Sequence, residues 1–424
     1  MRAQTNHANP ERPLAITNIT VIDPKSGSVK RDVTVLVRGG RIATVGKSNT
    51  VRIPSATQTV EGRGKFLVPG LWDMHVHLDS GDFGRNHYLR LLIVNGVTGV
   101  RLMDGDPIYH QWRREIERGL LLGPRMVIAS QVIAGPASYA SDALKVRNAE
   151  EARAAVRKAK QERADFIKVH DGLSRAAYFT IVEEAKKLKI TISGHVPEAI
   201  KAIEASNAGQ RSIEHFTGLT EAETDLANAN LLSSVFKKND TWLCPTLIMR
   251  RNYAVLDERF LAEDTRGRYA SRSLRAYWSK VSRDAKNIPA SDWAARRETV
   301  RREKTLVGRF HKTGVGILAG TDTSNPYVMP GFGLHDELLM LVESGLTPMQ
   351  ALQAATLNPA RFFNQTTLFG SVEIGKAADL LLLNANPLED IRNTTKISAV
   401  VVQGRFLDRQ ELDRILAEIE AAAA

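Results

Sequence analysis

Between Leu71 and Asp322 the chain repeats one texture: a short, β-branched apolar segment, then in most cases a stretch with helical spacing. The strand-like runs end near "MHVH", "GVTGVRLMD", "PRMVIAS", "ADFIKVHDG", "ITISGHVP", "QRSIEHF", "TWLCPTL" and "VGILAGTD", and stretches such as "NAEEARAAVRKAKQER" and "AAYFTIVEEAKKLK" lie between them. Parallel strands cannot be joined by a tight turn; each needs a crossover, usually a helix. Strand–helix alternation therefore predicts an α/β fold of parallel units. Eight such units suggest a closed (β/α)8 TIM barrel. A doubly wound open sheet shares the alternation, but no Gly-rich dinucleotide fingerprint follows any early strand. One connection breaks the pattern, running from Ile248 to Gly314. On a barrel an excursion of that length is usually a lid, a binding wall or an oligomer contact. This one is expected to be mostly helical, and its arginines would favour carboxylate-bearing substrates.

The flanks read differently. Residues 1–12 look like a mobile tail. From Leu14 to Lys65 the runs "LAITNITVID", "VTVLVRGGRIATVG" and "ATQTVEGRGKFLVPG" are β-like, with "RGGR" as a hairpin turn. The far end resumes this style in "GSVEIGKAADLLLLNA" and "ISAVVVQGRFL". We expect 13–66 and 370–424 to form one composite small β-sandwich domain. The barrel then spans 67–369, with 248–314 inserted near its active-site mouth.

Composition narrows the class of function. The 424 residues carry a net charge of +11, and a basic balance invites a nucleic-acid reading. Acidic residues are interleaved with the basic ones even in the densest stretch, and no zinc-finger, RNP-type or basic-tail signal appears, so no nucleic-acid partner is expected. No apolar run is long enough to span a membrane. The polar N-terminus lacks the apolar core of a signal peptide. Cys244 is the only cysteine, so no internal disulfide can form. These features suit the cytoplasm, and a secretory signal already removed would be compatible with them too.

A barrel carries its chemistry at the C-terminal ends of its strands. Those ends offer His75 and His77 in "GLWDMHVHLD", then Lys168, His195, His215 and Asp322. Alternate residues of a strand share a face, so His75 and His77 point the same way. By the same parity Lys168 points inward with Phe166, leaving Ile167 and Val169 to the helices. Any one of these could be a hydrogen-bonded core residue. Six compatible groups at the strand ends of one barrel make a metal centre the stronger reading. His170 shares the face of Lys168 and could contact substrate, as could Tyr139 and Arg250 in strand-end loops. Asp73 could orient a ligand histidine from behind. Pro197 is expected to open a helix. Ser130 and Cys244 have no visible base, which argues against a nucleophilic mechanism.

The motifs "VPGLWDMHVH", "FIKVH", "SGHVPEA", "RSIEHF" and "LAGTD", with the later "LTPMQALQAATLNPARFF" and "GSVEIGKAADLLLLNANP", resemble the amidohydrolase superfamily, in its imidazolonepropionase-like and prolidase-like branch. The likeness spans roughly Leu14 to Leu407. It implies a binuclear metal centre, most often zinc. His75, His77 and Asp322 would hold one ion, His195 and His215 the other, and a carboxylated Lys168 would bridge them. An ammonium has no lone pair to offer, whereas a carbamate supplies two oxygens. Two cations flanking a water bring its pKa toward neutrality, and Asp322 would serve as ligand, base and acid. The implied activity is metal-dependent hydrolysis of an amide-type C–N bond in an N-acyl amino acid, a dipeptide or a xenobiotic amide or carbamate. Esterase, lactonase or phosphotriesterase chemistry on the same site is the alternative, and a non-catalytic scaffold a further one. A homo-oligomer is expected.

Overall fold

The computed structural model describes residues 12–219, 226–258, 261 and 263–424; of the tail expected at 1–12, all but Arg12 lies outside them. Strands β1 (Leu14–Asp23), β2 (Ser28–Arg38) and β3 (Arg41–Lys47) form an antiparallel ladder. The β2–β3 turn is Gly39–Gly40, with φ of 57° and 72°, the two-residue geometry whose twist matches the flanking strands. Next, β4 (Gln58–Glu61) and β5 (Phe66–Pro69) both run parallel to β1.

The central region follows directly. Here β6 (Leu71–Val76), α1 (Leu89–Val94), β7 (Val97–Leu102), α2 (Pro107–Glu117) and β8 (Arg125–Ile128) give a three-stranded parallel sheet. Two short strands, β9 (Ile133–Ala134) and β10 (Leu144–Lys145), precede α3 (Ala149–Gln161), β11 (Phe166–Val169), α4 (Arg175–Lys187), β12 (Thr191–Gly194), α5 (Ala202–Ala208), β13 (Gln210–Glu214), α6 (Leu226–Asn239) and β14 (Trp242–Cys244). Their sheet order is β10-β9-β11-β12-β13-β14, all parallel. Helices start where caps are written: Asp106, Asn148 and Ser174 each accept a first-turn N–H of α2, α3 and α4. Pro197 opens a turn instead of a helix, its carbonyl accepting from Ile200 N, and α5 starts later at Ala202.

After β14 come α7 (Leu247–Ala254), α8 (Arg272–Ala285) and α9 (Ala290–Thr313). The eighth expected strand, Val315–Asp322, is no regular strand. It makes single parallel bridges, Ile317 to Leu243 of β14 and Thr323 to Val76 of β6, while Ala129 bridges to Phe166. The reason is local. The Asp73 carboxylate takes the Thr321 N–H and hydroxyl (3.0 and 2.7 Å), a side chain standing in for a ladder partner. The helices α10 (Phe332–Glu343), α11 (Pro348–Ala354) and α12 (Leu357–Phe362) lead back to β15 (Leu380–Leu383), β16 (Ile397–Val402), β17 (Arg405–Asp408) and α13 (Arg409–Ala423).

The C-terminal strands join the N-terminal ones in one eight-stranded sheet, β17-β16-β15-β5-β1-β2-β3 with β4 beside β1. It has its own apolar cluster, including Ile16, Val35, Leu67 and Leu382. The central region is a TIM-barrel-like α/β arrangement. Ile167, Val169 and Ile192 pack with helix residues Val156 and Ile181 in the main core, while Trp72, Met74, Trp242, Cys244 and Leu318 form a separate cluster. Among the described residues no helix is long and apolar enough to cross a membrane.

Candidate metal centre

His75 is the penultimate residue of β6 and His77 follows the strand, and their Nε2 atoms lie 3.3 Å apart. Asp322 Oδ1 is 3.3 Å from the first and 3.2 Å from the second. Ligands bonded at about 2.1 Å around one tetrahedral ion sit roughly 3.4 Å from each other. The three donors thus have the spacing that a single divalent cation would fill. The other carboxylate oxygen, Oδ2, lies 3.5 Å from His215 Nε2. The His215 ring is 5.1 Å, centroid to centroid, from that of His195 and nearly perpendicular to it. Lys168, 1% exposed, lines the same cavity. Gly194 makes room for it: with φ at 132°, a Cβ there would lie 2.2 Å from Val169 O and 3.0 Å from Lys168 Cδ.

Two imidazoles have their Nδ1 atoms hydrogen-bonded from behind and a third turns its Nδ1 toward a carboxylate, which leaves each Nε2 facing the centre. His75 Nδ1 meets Glu214 Oε2 at 2.9 Å, His215 Nδ1 meets Thr246 Oγ1 at 2.5 Å, and His77 Nδ1 lies 3.5 Å from Asp104. Glu214 is fully buried and also accepts from Ser212 Oγ (2.5 Å) and Arg101 Nη2 (2.9 and 3.0 Å). Arg101 in turn donates to Met74 O and Ser212 Oγ.

Sequence reasoning passed over Glu214 and Arg101. Strand parity by itself would send the adjacent Glu214 and His215 to opposite faces. In fact His215 lies just past β13 with φ at 56°, a left-handed turn that brings both side chains to the centre. A lone arginine inside the otherwise uncharged β7 was the available signal, because a buried guanidinium requires a carboxylate. Asp73 is buried but does not touch a ligand ring; it accepts from His75 N at 3.2 Å, and burial pushes its carboxyl up to about 7.

Burial pushes His75 and His195 well below their usual range and His215 down to about 4, so these rings are neutral, the form that ligates. Burial alone would raise Asp322, but the neighbouring imidazoles of His215 and His75 and the hydrogen bond from His77 hold it far below the carboxylate range. For His77 burial is outweighed by Asp104 and Asp322, which carry it up to about 9.

His170 stacks on His195 at 3.8 Å and approaches Asp171 and Ser138 Oγ through Nδ1. His170, Asp171 and His195 form a second trio with ligand atoms close enough to share an ion. The cavity over these groups measures about 1180 Å3, and His170, Tyr139 and Arg250 all line it. Met249, Arg250, Tyr253 and Tyr277 bring the 248–314 segment to its wall. Arg250 is ion-paired to Glu303 of α9 at 2.6 Å. Cys244 is buried and its thiol pushed well up by burial, and Ser130 Oγ donates to Gln131 O, so neither is poised as a nucleophile.

A family model described as the amidohydrolase family matches residues 66–407. Among curated relatives, the ochratoxinase of Aspergillus niger is 26% identical over 90% of this chain and 83% of its own length. A solved structure described as a putative prolidase from Bifidobacterium longum is 26% identical, covers 96% of this chain and 99% of that one, and superposes with a TM-score of 0.76. A bottromycin amidohydrolase is 25% identical, covers 99% and 92% of the two chains, and gives a TM-score of 0.81.

Proposed function

Because this chain belongs to the amidohydrolase family, and so is a hydrolytic enzyme acting on carbon–nitrogen bonds, we propose that it hydrolyses the amide bond of a small N-acyl amino acid, dipeptide or xenobiotic amide at a binuclear metal centre. The observation that carries this reading is the convergence of His75 Nε2, His77 Nε2 and Asp322 Oδ1 within 3.3 Å of one another. The names of similar proteins, an ochratoxinase, a prolidase and an amidohydrolase, agree with an amide-type bond.

In this reading His75, His77 and Asp322 would hold one divalent ion, zinc being the first candidate, and His195 and His215 would hold the second, with Lys168, carboxylated on Nζ, as a ligand common to both. Ions in such a site supply Lewis-acid polarisation of a carbonyl and ionise water near neutral pH. The chain's own residues do the rest. Asp322 accepts the proton of the attacking water on its carboxylate and returns it to the departing amide nitrogen. Glu214, fixed by Arg101 and Ser212, holds the His75 ring so that Nε2 faces the centre. Tyr139, His170 and Arg250 form the substrate wall. We read the bridged strands as a closed (β/α)8 barrel over 67–369, with 248–314 at its mouth and a composite β-sandwich of 13–66 and 370–424 beside it.

The test is metal analysis of the purified enzyme together with amine release from a library of N-acyl amino acids, dipeptides and matched esters. Two equivalents of metal and turnover of amides are expected. Stoichiometric metal with hydrolysis of esters only, or no metal at all, would overturn the reading.

A further inference from the structure

The chain carries a formal net charge of +11, yet the walls of the cavity above the metal-type cluster run the other way. Six carboxylates line it besides Asp322: Asp79, Asp104, Asp106, Asp142, Asp171 and Glu198. Against them stand Lys168 on the floor and one guanidinium, Arg250, which already pairs with Glu303 at 2.6 Å. None of the six has a Lys or Arg partner among the described residues. Glu198 accepts from Gly172 N, Asp79 from Gly81 N and Asp106 from Ile108 N; Asp142 and Asp171 accept from serine hydroxyls, and Asp104 faces His77. Of the arginines in 248–314, only Arg250 is on this wall, so the carboxylate preference read from that segment's composition has no wider support in the cavity.

Aromatic rings complete the lining. Tyr139 and Tyr277 are 78% and 44% exposed, and Tyr253 stands with them. Ring faces attract cations, and a cleft walled by one sign of charge concentrates the opposite sign. In the reading above, ions held at the floor would polarise the scissile carbonyl, which leaves the carboxylates and rings of the wall to the substrate's far end.

We propose that the substrate of this site carries a cationic group, an ammonium or guanidinium, on the part that lies at the cavity mouth, remote from the amide that is cleaved. This rests on the amide-hydrolase reading above, and the experiment separates the two. Three matched probes are titrated into the metal-loaded enzyme by calorimetry: N-acetyl-lysine amide, N-acetyl-norleucine amide and N-acetyl-glutamate amide. Amine release from each is followed in parallel. The lysine probe should bind about tenfold or more tighter than the norleucine probe, and the glutamate probe weakest. Raising the salt from about 0.05 to 0.5 M should compress that order, because solvent-facing charges are screened. In Glu198→Gln with Asp142→Asn the ratio of lysine to norleucine binding should fall toward one. Tightest binding of the glutamate probe, equal binding of all three, or no measurable binding of any overturns the charge proposal. Selective binding of the lysine probe without hydrolysis of any amide supports it and overturns the reaction assigned above.

Discussion

Burial lowers the pKa of Lys168, while Glu214 and Asp322 pull it back up. A bare ammonium so placed is costly, since desolvation penalises its charged form; a neutral amine able to take up carbon dioxide is the cheaper state. Lys168→Ala should therefore lose metal and turnover together, and short carboxylic acids should restore part of both. Metal content by elemental analysis checks this; a variant that keeps both ions and shows only a raised KM would make Lys168 a substrate-binding cation. Glu214→Gln keeps the shape of the buried network but removes the charge facing His75 and Arg101. Loss of an outer partner to a metal-ligating histidine typically costs about 10–100-fold in metal affinity or activity. We expect a loss of that size in a chelator competition, with Glu214→Asp recovering part of it. A purely structural Glu214 would lower Tm and leave metal affinity unchanged.

Helices α7, α9 and α10 meet around two buried carboxylates. Glu337 of α10 accepts from Ile248 N at 2.8 Å, its Oε1 has no partner, and burial pushes its pKa up to about 8. An unfolded glutamate loses its proton near about 4.3. Between those values the folded chain holds the extra proton, so this group's contribution to stability falls as pH rises from about 4.3 to 8. Glu337→Gln should remove that decline, and its Tm should gain on the wild type as pH is raised from 5 to 9. Parallel Tm curves would refute the assignment. On the other side, Arg250→Met leaves Glu303, 4% exposed, without its cation. An uncompensated buried charge is strongly destabilising, so Tm should drop by several degrees. An unchanged Tm with a raised KM would show that Arg250 serves the substrate wall alone and that its pair with Glu303 does not support the fold.

Across the whole molecule, the two ends meet at β5. It pairs with β1 through Thr20–Phe66 and with β15 through Leu383–Phe66, and it runs by Gly70 into β6, the strand that carries His75. Ending the chain at residue 379 would strip β15 from β5 and expose its apolar edge. Loss of soluble, metal-binding protein is the expected result, read by sedimentation and metal content; a soluble, metal-loaded truncation would show that the terminal sheet is dispensable. The alternation of strand and helix was legible in the sequence because strand and helix periods are local. The Gly-Gly turn was too, because only glycine takes φ above zero there at no steric cost. His75 and His77 were legible as a same-facing pair for the same local reason. Which carboxylate stands behind His75 was not. Glu214 comes from another strand, and His215 reaches the centre through a left-handed residue that strand parity does not describe. The irregular eighth segment was also hidden, since a side chain of β6 replaces its ladder bond. Nor did a +11 chain announce a carboxylate-lined cavity: composition sums charge over the sequence, and only the tertiary fold sorts it in space.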